Sequence, residues 1–485
     1  MPNTLIQAQP PLEFIPPALN PLVVKGVKML LPLWLRSRTS ITEIKADNVE
    51  TLADLYQQFQ TGKTRFLMAF RHPSADDPFS LFYLISYILP KVAKQKGISL
   101  KQPLHSHFMY DRGIPIWAGS IVTWLYPRLG GTSIHRGKLD RVGLRSARNL
   151  LVNGNFPLAA APEGATNGHN ELVSPLEPGI AQLGFWCVED LLKAERSEQV
   201  FIVPIGIKYT YVQAPWKQIE QLLTTLEADS GLSANSENSP LKNQQLLPGV
   251  EPSDEVKKWL YRRVYRLGEH FLSLMEEFYT KFYHQKLPTA PKKEFTNDTH
   301  LEESESHSLS YKEFSTRLHA LLDVALQVAE QYFNVLPKGS LIDRCRRLEQ
   351  AGWDCIYRED IKNPEVLSAL EKGLADRIAA EASLRMWHMR LVESFVSVTG
   401  KYILEKPTAD RFAETTLLMW DMMTRIKGGN PFMRPSLGKQ RVQMTVGEPI
   451  SVSERWDTYS SSRRSAKQAV ENLTQDIQTA FESMI

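Results

Sequence analysis

A histidine and an aspartate five residues apart offer the clearest candidate chemistry in the sequence. His72 and Asp77 lie in the segment RHPSADDPF, directly after the apolar run TRFLMAF. An imidazole takes up a proton near neutral pH, and a carboxylate bonded to its other ring nitrogen fixes the tautomer and stabilises the cation. No serine or cysteine nucleophile is obvious beside the pair. The simplest reaction is therefore direct: His72 deprotonates a substrate hydroxyl, which attacks an activated carbonyl.

The spacing of this pair is not specific by itself. The chain has 11 histidines, and His135 and Asp140 show the same separation. An ordinary surface or supporting residue is the alternative interpretation for either histidine. The two pairs are distinguished by the order of the segments that follow His72.

Three short segments follow His72 at intervals along the chain. They are GGTSIHR, which ends at Arg136, then Pro162-Glu163-Gly164 after the run FPLAAA, and finally Val203-Pro204-Ile205. Together with the histidine–aspartate pair, and in this order, they resemble the four sequence blocks of the glycerolipid acyltransferase family. That family includes the lysophosphatidate and glycerol-3-phosphate acyltransferases. The resemblance covers roughly residues 46 to 212.

The resemblance implies roles for the residues of the first two blocks. His72 would be the general base and Asp77 its orienting partner. Ser74, at a position that is often serine in the family, would contact the substrate. Arg136 would grip the phosphate of the acceptor, since a guanidinium donates two parallel hydrogen bonds to phosphate oxygens. Lys138 is close enough in sequence to add positive charge, although a solvated surface position is the alternative.

The resemblance also implies roles in the last two blocks. Glu163 would bind acceptor hydroxyls or brace the site. Gly164 would let the backbone approach the substrate closely, because glycine carries no side chain. Pro204 would contribute to the architecture of the site and to the binding of the acyl chain.

Two departures from the family pattern concern phosphate binding. Arg71 precedes the histidine, where many members carry asparagine, and the third block lacks the arginine of the family's Pro-Glu-Gly-Thr-Arg-Ser. The loss of one charge-assisted phosphate contact would weaken acceptor binding by about 1.5–3 kcal/mol. Either Arg71, Lys138 or Arg141 replaces it, or the acceptor is not a simple phosphomonoester.

The function implied by the resemblance is acyl transfer in glycerolipid synthesis. The donor would be an acyl thioester, of coenzyme A or of acyl carrier protein, and the acceptor a lysophospholipid, first of all 1-acylglycerol-3-phosphate. Glycerol-3-phosphate or a phosphate-free lysolipid as acceptor is one alternative, and a lipid-binding protein without catalysis is another. We expect no cofactor and no metal, because neither a glycine-rich phosphate loop nor a metal-ligand cluster is evident.

The composition indicates a globular protein of a reducing compartment. The 485 residues are 42% hydrophobic and 23% charged, with a net charge of +3. These values exclude wholesale disorder and do not indicate the basic surface of a nucleic-acid-binding protein. The three cysteines are too few and too widely spaced for a disulfide framework. We expect a cytoplasmic protein, or a peripheral one on the cytoplasmic face of a membrane.

One N-terminal segment suggests contact with a membrane surface. Residues 21–38 (PLVVKGVKMLLPLWLRSR) combine an apolar run with interspersed lysines and end in tryptophan and arginines. That pattern is typical of a helix lying in a bilayer interface. A capping helix packed on the core is the alternative.

The element pattern predicts an α/β fold with a mostly parallel central sheet flanked by helices. Strand-length apolar runs occur at 64–70, 104–109, 156–161 and 200–211, and helical stretches separate them. Helical periodicity dominates afterwards, until a strand candidate (RVQMTV) and a final amphipathic helix. We therefore predict an N-terminal segment (1–45), an α/β domain (46–212), a large, mainly helical insertion with disordered loops (213–437) and the return of the α/β domain (438–485).

Overall fold

The computed structural model of the chain describes residues 6–114, 119–135, 140–232, 251–287, 303–361, 366–396, 398, 400–431 and 433–485. The chain forms two compact units, each assembled from two stretches of sequence. One unit comprises Leu12–Val212 and Lys439–Ile485, and the other comprises Met1–Pro11 and Gln213–Gly438.

The first unit is built on an eight-stranded, mostly parallel sheet. Its strands are β1 (Ile41–Asp47), β2 (Thr64–Phe70), β3 (His107–Asp111), β4 (Gly131–Ile134), β5 (Leu158–Ala160), β6 (Gln199–Tyr211), β7 (Gln440–Val446) and β8 (Ile450–Ser451). The spatial order is β1-β7-β6-β2-β5-β3-β4, and β8 pairs with β6. Only the β6–β7 and β6–β8 pairs are antiparallel. The predicted fold class, α/β with a mostly parallel sheet flanked by helices, is confirmed.

The helices of this unit precede, separate and follow the strands along the chain. They are α1 (Pro21–Arg38), α2 (Val49–Gln60), α3 (Asp77–Tyr83), which continues through a π-helical turn (Leu84–Ile88) into α4 (Leu89–Gln95), then α5 (Ser120–Arg128), α6 (Arg141–Asn153), α7 (Gly179–Lys193), α15 (Trp456–Ser460) and α16 (Arg463–Ser483). The numbers α8 to α14 belong to the second unit.

Strand β2 is the centre of the sheet and is covered on both faces. Phe66 and Met68 belong to one core cluster, whereas Leu67 and Ala69 belong to the other. Successive side chains of a strand point to opposite faces, so a strand buried on both sides is a continuous apolar run. The run TRFLMAF shows this pattern, and its predicted bounds are those of β2.

The carboxyl ends of β2, β5, β3 and β4 meet at one edge of the sheet, because these strands are mutually parallel. In open α/β sheets, ligands bind in crevices outside this edge. The first and third sequence blocks follow β2 and β5, and the second block contains β4 and ends two residues after it in sequence.

Strands β6 and β7 form an antiparallel pair although more than 200 residues separate them. Tyr211 pairs with Gln440, and the amide of Val212 donates to the carbonyl of Lys439 at 2.9 Å. The chain therefore leaves the sheet and returns to it at adjacent points. The intervening residues all belong to the second unit.

The second unit is helical in the residues that the structure describes. Its helices are α8 (Trp216–Asp229), α9 (Asp254–Tyr283), α10 (Glu303–Phe333), α11 (Leu341–Ile356), α12 (Ala369–Phe395), α13 (Tyr402–Glu405) and α14 (Ala409–Ile426). Within this stretch, where disordered loops are predicted, residues 233–250 and 288–302 lie outside the described residues. None of the helices described in either unit is long and apolar enough to cross a bilayer.

Candidate active site

His72 lies just beyond the carboxyl end of β2. The preceding amide, of Arg71, donates to the carbonyl of Ile205 on β6 at 3.0 Å, which extends the ladder by one bond. Pro73 follows His72, and it lacks an amide hydrogen that could continue the ladder. The chain therefore turns away from the sheet at His72 and enters α3 at Asp77.

The imidazole of His72 and the carboxylate of Asp77 form a hydrogen-bonded pair. Nδ1 lies 3.0 Å from Oδ2 of Asp77. An ionised carboxylate only accepts, so Nδ1 carries the proton and the lone pair of the neutral ring is on Nε2. The Asp77 side chain is 0% exposed, whereas that of His72 is 21% exposed. The imidazole can therefore exchange a proton with its surroundings, whereas the Asp77 carboxylate is shielded from water.

The turn between His72 and Asp77 is held by its own polar groups. The amide of Ser74 donates to Oδ2 of Asp77 at 2.9 Å, and the Ser74 hydroxyl accepts from the amide of Asp76 at 3.2 Å. Ser74, which was predicted to contact substrate, thus orients the carboxylate through its backbone. The ring of Phe70 packs edge-on to the imidazole, with 6.0 Å between centroids.

A second carboxyl group lies next to the pair. Burial, and secondarily the charge of Asp77, raise the pKa of Asp76 to about 6. Both causes disfavour the anion, since they remove hydration and add a like charge. Asp76 is therefore partly protonated in slightly acidic solution.

Glu163 braces the backbone of the histidine from the turn that follows β5. Its Oε1 accepts from the amide of His72 at 2.8 Å, and its Oε2 accepts from the side chain of Asn167 at 2.9 Å and from the amide of Ser174 at 3.2 Å. The residue is buried. Of the two roles that the family resemblance implies for this glutamate, the geometry favours the bracing role.

Gly164 allows the tight turn that places Glu163. The amide of Gly164 donates to the carbonyl of Ala161 at 3.2 Å, which closes a four-residue turn with Pro162 at its second position. Gly164 has a φ of +71°, a conformation that is unfavourable for residues with a Cβ atom. The backbone conformation of this turn therefore requires glycine at position 164.

Arg71 is fully buried and holds the loop that follows Glu163. Its guanidinium donates to the carbonyls of His169, Asn170 and Leu172, and its Nε lies 3.5 Å from Oε1 of Glu163. A side chain committed to interior carbonyls has no access to a substrate. The suggestion that Arg71 replaces the missing phosphate-binding arginine is therefore wrong.

Pro204 lies inside β6, where it pairs with Ala69 of β2. It is buried, and its carbonyl accepts from the amide of Gly447 at 2.8 Å. Proline is rare in central strands because it cannot donate to the ladder. The residue shapes the sheet beside the point where the chain leaves β2 for His72.

Three cationic residues after β4 are candidates for binding phosphate. Arg136 and Lys138 follow β4 in sequence, but both lie outside the described residues. Arg141, the third candidate, is exposed at the first position of α6.

The pair with the same spacing, His135 and Asp140, is built differently. The Asp140 carboxylate accepts from the amide of Gly143 at 3.0 Å and so caps α6. It also accepts from the backbone amide of His135 at 2.9 Å and forms an ion pair with Arg112. Asp140 thus caps α6 and bonds to the backbone of His135, directly after β4. The order of the sequence blocks, rather than the spacing, selected the pair with the geometry of a base and its orienting acid.

Tyr209 is a site residue that the sequence analysis missed. Its hydroxyl donates to Oδ1 of Asp77 at 2.6 Å from the far end of β6. Burial, and then the charge of Asp77, raise the pKa of Tyr209 far above its usual value, so it remains a donor. The only signal in the sequence is the two-residue alternation of β6, which puts Tyr209 on the same face as Val203 and Ile205.

A cavity of about 420 Å³ lies elsewhere in the same unit. Phe59, Arg65, Lys101, Gly154 and Glu198 are among the residues that line it. Arg65 belongs to the amino-terminal end of β2, so this cavity is at the opposite edge of the sheet from His72. It includes no residue of the four sequence blocks.

Comparisons with known proteins do not assign the chain to a family. No family model, no curated protein and no solved structure matches it significantly. Within the ranges that the structure describes, no group of three or more side chains is placed to hold a metal ion.

The role of Arg71 leads to a prediction about stability. In Arg71→Met, three carbonyls and Glu163 lose a buried cation, and breaking a buried charge pair costs about 3–5 kcal/mol. We expect the free energy of unfolding in urea to fall by that amount. Arg141→Met, which changes an exposed arginine, should lower it by no more than about 0.5 kcal/mol. Equal stability of the two variants would contradict the proposed brace.

Proposed function

We propose that the protein is an acyltransferase that moves a fatty acyl group from an acyl thioester to the hydroxyl of a lysophospholipid. The observation that carries this proposal is the bond between His72 and the buried Asp77 at the carboxyl edge of a parallel sheet. A protein that only binds lipid has no need for a buried acid aligned on a partly exposed imidazole. The ordered sequence blocks supply the substrate class.

The chemistry requires one base and no covalent enzyme intermediate. Nε2 of His72 takes the proton of the acceptor hydroxyl while the oxygen forms a bond to the thioester carbonyl carbon. The tetrahedral intermediate then collapses, the carbon–sulfur bond breaks, and the leaving thiolate receives the proton from Nε2. Asp77 remains ionised throughout and stabilises the imidazolium between the two transfers. The products are an ester and a free thiol.

The identity of the acceptor rests on the second block. We propose 1-acylglycerol-3-phosphate, with Arg136 binding the phosphate and Lys138 adding charge. The alternatives, glycerol-3-phosphate and a phosphate-free lysolipid, gain support from the third block, where Thr166 stands in the position of the family's arginine. Coenzyme A and acyl carrier protein are both consistent with this site as carriers of the acyl group.

The helical unit is, in this proposal, an insertion into the acyltransferase domain. Two facts support it: the chain exits after β6 and re-enters before β7 at hydrogen-bonded positions, and the residues between belong to a separate compact unit. A domain can be inserted where the two ends of the host chain lie close together.

Helix α1 supports a peripheral location at an anionic membrane. Val24, Leu31 and Leu35 are buried, yet Leu22, Met29 and Leu33 are 79%, 70% and 66% exposed. Both sets have spacings of seven and four residues, so they form two apolar stripes on opposite faces of the helix. An exposed apolar stripe is typical of a surface that contacts protein or lipid.

The charge of α1 favours lipid as the contact. The helix has no acidic residue and carries Lys25, Lys28, Arg36 and Arg38. Such a helix binds an interface by burying its apolar face while its cations meet anionic headgroups. The ring of Trp34 lies 6.1 Å from that of Phe79, near the start of α3, so the helix runs close to the His72–Asp77 turn.

Removal of the proposed base should abolish the reaction. In His72→Ala we expect the transfer rate to fall by at least a hundredfold, because general base catalysis contributes about 10²–10⁴-fold. The assay follows thiol release from acyl-coenzyme A with 1-acylglycerol-3-phosphate. His135→Ala, from the pair with the same spacing, serves as the control and should remain active. If folded His72→Ala keeps more than a few per cent of the activity, the mechanism is wrong.

Substitution of Arg136 should separate the acceptor classes. With a phosphorylated acceptor, Arg136→Ala should raise KM by about ten- to a hundredfold, the equivalent of one charge-assisted hydrogen bond. With a monoacylglycerol, KM should stay the same. A wild-type enzyme that uses only the phosphate-free acceptor, and an Arg136→Ala variant with unchanged kinetics, would favour the phosphate-free alternative.

The exposed stripe of α1 can be tested with lipid vesicles. We expect the wild type to sediment with phosphatidylglycerol vesicles, and the triple variant L22Q/M29Q/L33Q to bind at least tenfold more weakly, since a tenfold change needs only about 1.4 kcal/mol. The matched control, L370Q/L374Q/L384Q, removes three exposed leucines of α12. Equal binding by the two triple variants would exclude α1 as the docking element.

A further inference from the structure

The Asp77 carboxylate has a partner on each side, and only one of them belongs to the sequence block around His72. Oδ2 accepts from Nδ1 of His72 and from the amide of Ser74, whereas Oδ1 accepts from the hydroxyl of Tyr209 at 2.6 Å. The hydroxyl of Ser80 lies 3.4 Å from the same tyrosine oxygen. A carboxylate bonded at both oxygens cannot rotate about its Cβ–Cγ bond without breaking one of these contacts.

Tyr209 is itself held by the loop that Arg71 organises. Its amide donates to Oδ1 of Asn170 at 2.7 Å, and the carbonyl of Asn170 accepts from the guanidinium of Arg71. A continuous set of hydrogen bonds therefore links Arg71, Asn170, Tyr209, Asp77 and His72. Four segments of the chain contribute to it: the end of β2, the start of α3, the loop after β5, and β6.

We propose that Tyr209 is a positioning residue for the reaction: it holds the Asp77 carboxylate against Nδ1 of His72 and disperses its negative charge. The catalytic consequence rests on the proposed acyltransferase function, but the effect on His72 does not. Tyr209 touches neither the imidazole nor, in this proposal, the substrate. It acts only through Asp77.

Within the described residues, charged and titratable groups reach this network from several elements. Asp76 lies beside Asp77 on the turn, Arg71 and His72 follow β2, Glu163 contributes from the loop after β5, and Tyr209 contributes from β6. Arg71 and Glu163 are paired with each other. Asp77 is thus the anion that faces the ring, and Tyr209 is its second side-chain donor.

The loss of the Tyr209 hydroxyl should change the electrostatic environment of the His72 ring. In Tyr209→Phe the Asp77 carboxylate keeps its charge but loses one hydrogen-bond donor. Its interaction with a protonated His72 ring then becomes stronger, because fewer other donors stabilise the buried anion. We expect His72 to stay protonated to higher pH. The predicted direction is opposite to that of Asp77→Asn, in which the ring loses its anion and deprotonates at lower pH.

Chemical modification of the histidine measures this effect without any assumption about the reaction. Diethyl pyrocarbonate acylates only the neutral ring, and the tryptic peptide that starts at His72 and ends at Lys91 contains no other histidine. The modification rate of this peptide, measured by mass spectrometry across pH, gives a midpoint for His72. For Tyr209→Phe we expect that midpoint to rise by about half a pH unit. In the acyl-transfer assay kcat should fall about 3- to 10-fold.

Two controls separate positioning from packing. Tyr56→Phe removes another buried hydroxyl of the same unit, one that donates to the carbonyl of His105 at 3.0 Å, and it should leave the His72 midpoint unchanged. In an Asp77→Asn background, Tyr209→Phe should not change the His72 midpoint further, because Tyr209 acts on the ring only through the Asp77 carboxylate.

An unchanged midpoint in folded Tyr209→Phe would overturn the proposal, and so would an equal shift in the presence and absence of Asp77. If the midpoints behave as expected but the wild type releases no thiol with any lysolipid, the positioning role stands and the acyltransferase function fails.

Discussion

The candidate site depends on keeping one carboxylate ionised in the interior of the protein. Asp77 is fully buried, and a buried carboxylate is unfavourable unless hydrogen-bond donors replace its lost hydration. Three donors do so: the imidazole of His72, the amide of Ser74 and the hydroxyl of Tyr209. A neutral Asp77 could no longer stabilise the imidazolium. The turn between β2 and α3 supplies the first two donors, and the end of β6 supplies the third.

A buried cation, the guanidinium of Arg71, holds the backbone that carries the histidine. Arg71 immediately precedes His72, yet its guanidinium points into the protein, to three carbonyls and to Glu163. Glu163 in turn accepts from the amide of His72. One arginine thus ties the loop after β5 to the end of β2. Glu163 thus holds the backbone of His72, and Asp77 orients its side chain.

The sequence predicted the parts of this arrangement that depend on local pattern. β2 and α1 have the predicted bounds because a doubly buried strand and a continuous helical run have distinctive apolar patterns. The order of the blocks that follow it points to the histidine–aspartate pair, and the two side chains meet because they lie at the ends of one short turn. β1 and β4 were not predicted: β1 alternates charged and apolar residues at the sheet edge, and β4 has only four residues.

The roles of Arg71, Glu163 and Tyr209 needed the structure for a different reason. Each acts on a partner about 90 to 130 residues away. From the sequence alone Arg71 is expected to be a surface cation, because arginine is charged and seldom fully buried. Its carbonyl partners lie in an irregular loop, for which hydrophobic periodicity gives no signal. Tyr209 could be assigned to a face of β6, but not to a partner.

The pairing of β1 has a consequence for how the protein is made. In the sheet order, β1 contacts only β7, and Ile41 is paired with Gln440, almost 400 residues later. At ribosomal speeds of about 5–20 residues per second, the first strand is synthesised roughly 20 to 80 seconds before its partner exists. During that interval the growing chain carries an open β-edge at β1 and, once residue 211 has been added, another along β6. The sheet can close only after the helical unit has emerged.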